Sequence, residues 1–450
     1  MTKFAVLTHS SWDAIVARRR SGAVTVRQFL EDVAGLAAWL PERPYLLNGC
    51  SDRYRFAVGF LAALARRQVS LLPPTLTPET VRWLADRFPG VYGLTDDPAA
   101  ALDLPTYFFP ERGANAFPVD RVPVIEADRI AAYALTSGST GMPVPHLKTW
   151  GALVRSARAE RDRLGIGGAD CSIVGTVPAQ HMYGLESTVL LPLQSGASFC
   201  VGRPFFPADV GSALESIPGV RILFTTPFHL RALLESGGRF PQLGLLVSAT
   251  APLSERLALL AEQRFRASLV EIYGCTEAGQ LATRRPTRGA EWTVFAGIEI
   301  AKDRKGVWVQ GGHVEQRVYI QDEVDLQSSR TFLLRGRSSD MINIAGKRTS
   351  LAYLNHQINS IPGVLDAVFY PPPDRGGEGV TRLAAFVVAP GLTPAEIMLA
   401  LRERVDPVFL PRPLHFVERL PRNSTGKLTR DGMEGLIEQV QDGIVLPALS

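Results

Sequence analysis

Cysteine is scarce in this 450-residue chain: Cys50, Cys171, Cys200 and Cys275 lie far apart, with no Cys-x-x-Cys pair. That spacing excludes a disulfide framework and a zinc cluster, and suits a reducing cytoplasm. Histidine is scattered too, seven residues without a His-x-x-x-His spacing. Charge of one sign is lacking, since 48 Lys and Arg face 44 Asp and Glu for a net +4. Nothing in that balance points to nucleic acid. Long apolar runs are missing as well. The longest, Phe56 to Ala65, is fenced by Arg55 and Arg66 and is too short to span a bilayer. The amino terminus has no basic-then-apolar leader. Neither repeats nor long low-complexity segments occur. These shortages predict a soluble cytoplasmic protein with no nucleic-acid partner and no membrane insertion, and they leave monomer and homodimer both open.

What is present is more telling. With 46% apolar residues, the chain is long enough for more than one domain. The stretch Leu135-Thr-Ser-Gly-Ser-Thr-Gly-Met-Pro143 holds small or hydroxylated residues from Thr136 through Ser137, Gly138, Ser139, Thr140 and Gly141. Glycine lets the backbone approach a ligand closely, and the uncovered N–H groups and hydroxyls suit an anion. The loop follows a strand-like run, Ile130 to Leu135, where α/β proteins place phosphate-binding turns. A polyphosphate ligand is expected. A Walker loop is excluded, because Met142 and Pro143 stand where Lys and Ser/Thr would follow Gly141.

Along the chain, helical and strand patterns alternate. Thr25-x-x-Gln28 predicts a capping box opening an amphipathic helix with Phe29, Leu30, Val33, Leu36, Ala37 and Leu40 on one side. Buried strands are predicted at Tyr45-Leu-Leu, Ser70-Leu-Leu, Val91–Leu94, Ser172–Val177, Arg221–Thr225, Leu245–Ser248 and Ser268–Tyr273. Alternation of this kind indicates an α/β fold with doubly wound sheets. From Glu291 to Leu334 short alternating segments with Gly-rich turns predict an antiparallel or barrel-like unit. After Arg337, strands at Val364–Tyr370 and Ala384–Ala389 and a helix capped by Thr393-Pro-x-Glu396 predict a small α+β domain. The expected division is 1–336 for the large domain, 337–341 for a hinge and 342–450 for a small mobile domain.

Four further motifs accompany the loop: Tyr273-Gly-Cys-Thr-Glu277, His181-Met-Tyr-Gly-Leu185, Leu334-Arg-Gly-Arg337 with the residues after it, and Pro421-Arg-Asn-Ser-Thr-Gly-Lys-Leu-Thr-Arg430. Alone, each has a plain reading as a loop charge, a structural histidine or a surface lysine. In this order, from about residue 20 to 430, they resemble the signatures of the acyl- and aryl-adenylating, AMP-forming ligase superfamily. That family comprises acyl-CoA synthetases, aryl-acid ligases, luciferases and the adenylation domains of peptide synthetases.

The resemblance implies roles for particular residues. Thr136 to Gly141 would hold the phosphates of ATP, and Tyr273 would stack on adenine. Thr276 would touch the α-phosphate, while Glu277, with Thr140, would hold Mg²⁺. Ser248, Ala249 and Thr250 would line adenine and the substrate carboxylate. Asp325 would accept the ribose hydroxyls, and Arg337 would approach the nucleotide. His181, Tyr183, Gly184, Ala249 and Gly274 would line the acid's pocket. Ser339 would be the hinge, Gly346 would border the thiol channel and Lys427 would be the catalytic lysine.

This chain departs from the family in places. Val144 stands where a lysine is usual, which leaves Lys148 as a candidate replacement toward pyrophosphate. Ser339 replaces Asp or Lys, and the segment from Asp325 to Gly336 is short. Gln180-His-Met-Tyr183 lacks the acid that would pair with an α-ammonium, so an amino acid substrate is disfavoured. The expected activity is ATP- and Mg²⁺-dependent conversion of a carboxylic acid, preferably a small aromatic one, to its adenylate. Transfer to a pantetheine thiol of coenzyme A or an acyl carrier protein supplied in trans would follow. The alternatives are a medium- or long-chain acyl-CoA synthetase and an adenylate-binding regulator without catalysis.

Overall fold

The computed structural model describes residues 2–73, 76, 78–99, 102–110, 117–137, 143–337, 341–344, 347–371, 383–423, 426 and 428–441. Thr25 opens the helix Val26–Trp39 through the predicted capping box. Its Oγ1 accepts from the Gln28 N–H (3.3 Å), and its own N–H donates to the Gln28 side chain (3.1 Å). Phe29, Leu30, Val33 and Leu36 are buried along one side.

Two large sheets build the amino-terminal part. One has six strands in the order Pro143–Thr149, Ile130–Ser137, Val69–Leu72, Tyr45–Asn48, Val91–Thr95, Thr106–Phe108. Only Pro143–Thr149 runs antiparallel to its neighbour. The second has eleven strands. Its parallel centre contains Leu269–Cys275, Leu245–Ser248, Val220–Thr225, Cys171–Gly175, Ser198–Cys200 and Ile15–Arg19. Parallel strands covered on both faces read as continuous apolar runs, which is how these segments look in sequence. The run Phe56–Ala65 belongs to the helix Arg53–Ala65, buried on nearly every side within the main apolar core.

The antiparallel stretch after Glu291 divides between two sheets instead of closing on itself. Glu291–Val294, Thr331–Arg337 and Asp322–Leu326 extend the eleven-stranded sheet, while Ile298–Asp303, Gly306–Gly311 and Val314–Tyr319 form a separate three-stranded sheet. Both groups share one core, with Trp292, Phe295, Val309 and Phe332 at its centre. Edge extension of the large sheet removes the need for closure.

The large sheet's last strand ends at Arg337, and the next strand, Met341–Ile344, pairs with Lys347–Ser350 instead. Beyond it, Asp366–Tyr370, Ala384–Val388 and Leu414–Phe416 form a three-stranded sheet. The helices Leu351–Asn359 and Pro394–Arg402 cover it with a separate core of Leu354, Ile358, Phe369, Val387, Ile397 and Leu401. The capping box at Thr393 and Glu396 forms as predicted. Among the described residues no helix is long and apolar enough to cross a membrane.

Candidate active site

In the eleven-stranded sheet the strand order reverses at Cys171–Gly175. The chain next adds Ser198–Cys200 on one side and Val220–Thr225 on the other. Open α/β sheets bind ligands beyond the carboxyl ends of their strands at such a reversal. Here those ends carry Thr176, Thr225 and Thr226, Ser248 to Thr250, and Tyr273 to Glu277. Thr176 and Thr225 hydroxyls meet at 3.0 Å. The His229 Nδ1 lies 3.2 Å from the Thr176 hydroxyl and 3.0 Å from that of Thr226. Burial pushes the His229 imidazole down to about 4, so the ring is neutral at physiological pH. Thr250 holds φ +81°, an uncommon backbone state for a residue with a Cβ, at the end of a central strand.

The His181 turn is built by close packing. A Cβ on Gly184 would sit 1.8 Å from the Pro178 carbonyl oxygen, so only glycine allows the helix Met182–Leu185 to start there. Two groups fix the turn from outside. The Gln180 Nε2 donates to the Cys50 carbonyl (2.5 Å), and the buried Arg53 donates to the carbonyls of Gly175 (2.7 Å) and Val177 (3.1 Å). His181 is half-buried at the helix start. Tyr183 does not line an open pocket as expected. Its ring is buried, and its hydroxyl donates to the carbonyls of Thr225 (3.2 Å) and Val247 (3.4 Å), pinning the turn onto the strand ends.

The flanks of the Gly/Ser loop meet the Tyr273 motif. Thr136 Oγ1 lies 2.9 Å from His146 Nε2, and that nitrogen lies 3.8 Å from Glu277 Oε1. Two residues further along the same strand, the Lys148 Nζ donates to the Glu277 carbonyl (2.9 Å). Lys148 is buried, with its pKa lowered chiefly by burial against the opposing pull of Glu186. Its ammonium is therefore tied to the Glu277 turn. Burial likewise lowers His146 despite the nearby Glu277. Ser137 ends the strand Ile130–Ser137. Gly138, Ser139, Thr140 and Gly141 lie outside the described residues.

Behind Lys148 sits a buried polar cluster. Ser156 donates to Glu186 (2.8 Å), Ser187 donates to Glu160 (2.7 Å), and Gln280 donates to Ser187 (2.8 Å). Burial raises both carboxyls, that of Glu160 to about 8.

Gly274 sits at a bulge, where a Cβ would fall 2.4 Å from the Gly279 carbonyl oxygen. Thr276 and Glu277 occupy the turn that follows. The Tyr273 ring packs against Trp292 and Phe332, with centroids at 5.7 and 5.6 Å, and is 8% exposed. Little of its face is left to stack on a base. Its hydroxyl donates to Asp322 Oδ2 (2.6 Å). Asp325 is elsewhere: half its side chain is exposed, and it pairs with Arg335 at 2.6 Å. The carboxylate beside the Tyr273 motif is thus Asp322, which also stands opposite Arg337 in the strand register. The buried Ser248 hydroxyl has no hydrogen-bond partner among the described residues, and Ala249 is buried next to it.

Lys427, Ser339 and Gly346 lie outside the described residues. Gly426, just before Lys427, is described. A Cβ there would sit 2.9 Å from Phe228 Cβ and 3.5 Å from Thr226 Oγ1. The carboxy-terminal motif therefore rests on the same strand ends as the other motifs.

Residues 86–304 match the model of the AMP-binding enzyme family, and residues 355–427 match that of the AMP-binding enzyme C-terminal domain. A 4-coumarate–CoA ligase of Rhodobacter capsulatus is 30% identical over 299 residues, covering 65% of this chain and 73% of the relative. A 3-hydroxybenzoate–CoA/4-hydroxybenzoate–CoA ligase of Thauera aromatica is 24% identical, covering 76% and 71%. The fold is similar to that of O-succinylbenzoate coenzyme A synthetase from Bacillus subtilis in complex with AMP. That structure superposes with a TM-score of 0.80 at 19% identity, over 96% of this chain and 98% of the other. Motifs, fold and relatives agree, and the chain belongs to the AMP-binding enzyme family, within the AMP-forming ligase superfamily.

Proposed function

We propose that this ligase activates a small aromatic carboxylic acid with ATP in the crevice at the strand ends, then passes the acyl group to a pantetheine thiol. The observation that carries this reading is the meeting of Thr136, His146 and Glu277, which joins the Gly/Ser loop to the Tyr273 motif. In the first half-reaction the acid's carboxylate oxygen attacks the α-phosphorus. The bond to pyrophosphate breaks, leaving an acyl-adenylate. In the second, the thiol loses its proton and its sulfur attacks the acyl carbonyl, so that AMP departs. A mixed anhydride replaces a poor leaving group, oxide, with a good one.

The residue roles in this reading follow the motifs. Ser137 to Gly141 and Thr276 take the phosphates, Asp322 takes the ribose hydroxyls, and Arg337 stands across from it. His181 and Ala249 face the acid. Lys427, carried beside Gly426, stabilises the charge that builds at the α-phosphorus. A hydrated Mg²⁺ fits Glu277, whose carboxylate is 38% exposed. Among the described residues no three His, Cys, Asp or Glu side chains cluster for a metal. Such an ion would draw its other ligands from phosphate and water and would neutralise phosphate charge.

An aromatic acid is favoured because similar proteins include ligases for 4-coumarate and hydroxybenzoate. Their names also favour free coenzyme A over an acyl carrier protein as acceptor. Four free cysteines, three of them buried, suit the cytoplasm. The test is incubation with ATP, Mg²⁺ and a panel of acids, with coenzyme A or a pantetheinylated carrier protein. We expect AMP and an aryl thioester by mass spectrometry. Formation of ADP, or no thioester from any acid, would overturn the proposal.

A further inference from the structure

The carboxy-terminal motif is tied to the large domain through one chain of ion pairs. Arg422 grips Asp366 with two nitrogens, Nε to Oδ2 at 2.6 Å and Nη2 to Oδ1 at 2.7 Å. Its remaining nitrogen, Nη1, donates to the Gly426 carbonyl at 2.8 Å, which fixes the backbone next to Lys427. All three residues belong to the carboxy-terminal part. The link outward is Arg231, on the helix Pro227–Glu235 of the large domain. Its Nη1 donates to the Leu365 carbonyl (2.8 Å) and lies 3.5 Å from Asp366 Oδ1. The same helix receives Gly426 at its start, against Thr226 and Phe228.

Arg231 and Asp366 are largely shielded, at 23% and 15% side-chain exposure. Ion pairs at that depth are screened less than surface pairs and set geometry more firmly. Asp366 thus stands between two guanidinium groups, one from each side of the seam. If the small domain turns away, Asp366 keeps Arg422 and loses only Arg231.

We propose that Arg231 is a positioning residue, a latch that holds the Asp366–Arg422–Gly426 unit, and with it Lys427, over the nucleotide during adenylate formation. This rests on the two-step reading above. Arg231 meets the carboxy-terminal part at Asp366 and the Leu365 carbonyl, and in this proposal it acts through them. It should therefore serve the first half-reaction and be dispensable in the second.

The experiment compares both half-reactions in the full-length protein. Arg231→Ala should lower kcat of acid-dependent pyrophosphate exchange by about tenfold, the scale of one partly shielded charged hydrogen bond. KM for ATP and acid should stay within about twofold, as should thioester formation from supplied acyl-adenylate. Arg231→Lys, which keeps the charge, should recover part of the exchange. Arg231→Ala combined with Asp366→Asn should lose less than the product of the two single losses. Unchanged exchange in Arg231→Ala, or equal loss of both half-reactions with a lowered melting temperature, would overturn the latch. A wild-type protein without exchange but with normal folding would instead overturn the ligase reading on which the latch rests.

Discussion

Asp322 and Asp325 show what one residue position decides. Both lie on the strand Asp322–Leu326, three positions apart, and the sequence resemblance assigns Asp325 as the acid beside the nucleotide. A bulge between Glu323 and Val324 shifts the register. That leaves Asp322 on the Tyr273 hydroxyl and Asp325 on the exposed Arg335. The short segment from Asp325 to Gly336 is the one sign in the sequence against Asp325, because the bulge itself adds a residue without a compositional mark. Asp322→Asn should raise KM for ATP by about tenfold or more, the loss of one charge-assisted hydrogen bond. Asp325→Asn should leave it within about twofold in steady-state assays. The reverse order would restore Asp325.

Glu160 belongs to the same scale. Its carboxyl is raised from 4.5 to about 8, first by burial and further by the neighbouring Glu186, against a hydrogen bond from Ser187. Between those two values the folded state binds a proton that the unfolded state has released. Stability therefore falls as pH rises through that window, by at most about 1.4 kcal/mol per pH unit, and levels off above it. Glu160→Gln should flatten the decline in unfolding free energy between pH 5 and pH 8, measured by urea titration at each pH (about 1 kcal/mol per unit suffices to resolve it). An unchanged slope would show that Glu160 is not the titrating group. The periodicity of the helix Trp150–Leu164 sets Glu160 on the buried face, three positions after Ala157 and seven after Leu153, but its partners Ser187 and Gln280 come from distant segments that the helix pattern does not name.

At the scale of elements, much was legible. Capping boxes at Thr25 and Thr393 fix helix starts locally, and buried parallel strands announce themselves as short apolar runs. Motif glycines were visible, but their reason was not: Gly184 is required by the Pro178 carbonyl beneath it, and Gly274 by the neighbouring hairpin strand. Tyr183 was misjudged because a turn's sequence does not say which way its ring goes. Arg53 and His229, which anchor the turn and the strand ends, carry no motif at all. Gly184→Ala should cost about 1–3 kcal/mol or more through overpacking. A lowered thermal midpoint, with acyl-adenylate formation falling further than the loss of fold explains, is the expected result. Wild-type activity and melting in that variant would contradict the packing account.

For the whole molecule, alternating strands and helices predicted doubly wound sheets, and the change of texture after Arg337 predicted a second unit. The meeting of segments was beyond the sequence. His146 looks like an ordinary strand residue until the hairpin carries it to Glu277, and Arg231 like a helix charge until Asp366 docks beside it. Lys427 was nameable only from its motif, and the structure describes its neighbour Gly426 at the strand ends. If its charge serves the first step alone, Lys427→Ala should cut acid-dependent exchange by about a hundredfold or more. Thioester formation from supplied adenylate should change by less than about twofold, and equal losses would remove the assigned role.

The most direct test of the central claim is incorporation of labelled pyrophosphate into ATP by the purified wild-type protein, with each aromatic acid in turn. The account predicts exchange that requires both Mg²⁺ and an acid and is strongest with small aromatic ones. A folded, ATP-binding protein that exchanges no label with any acid would contradict it.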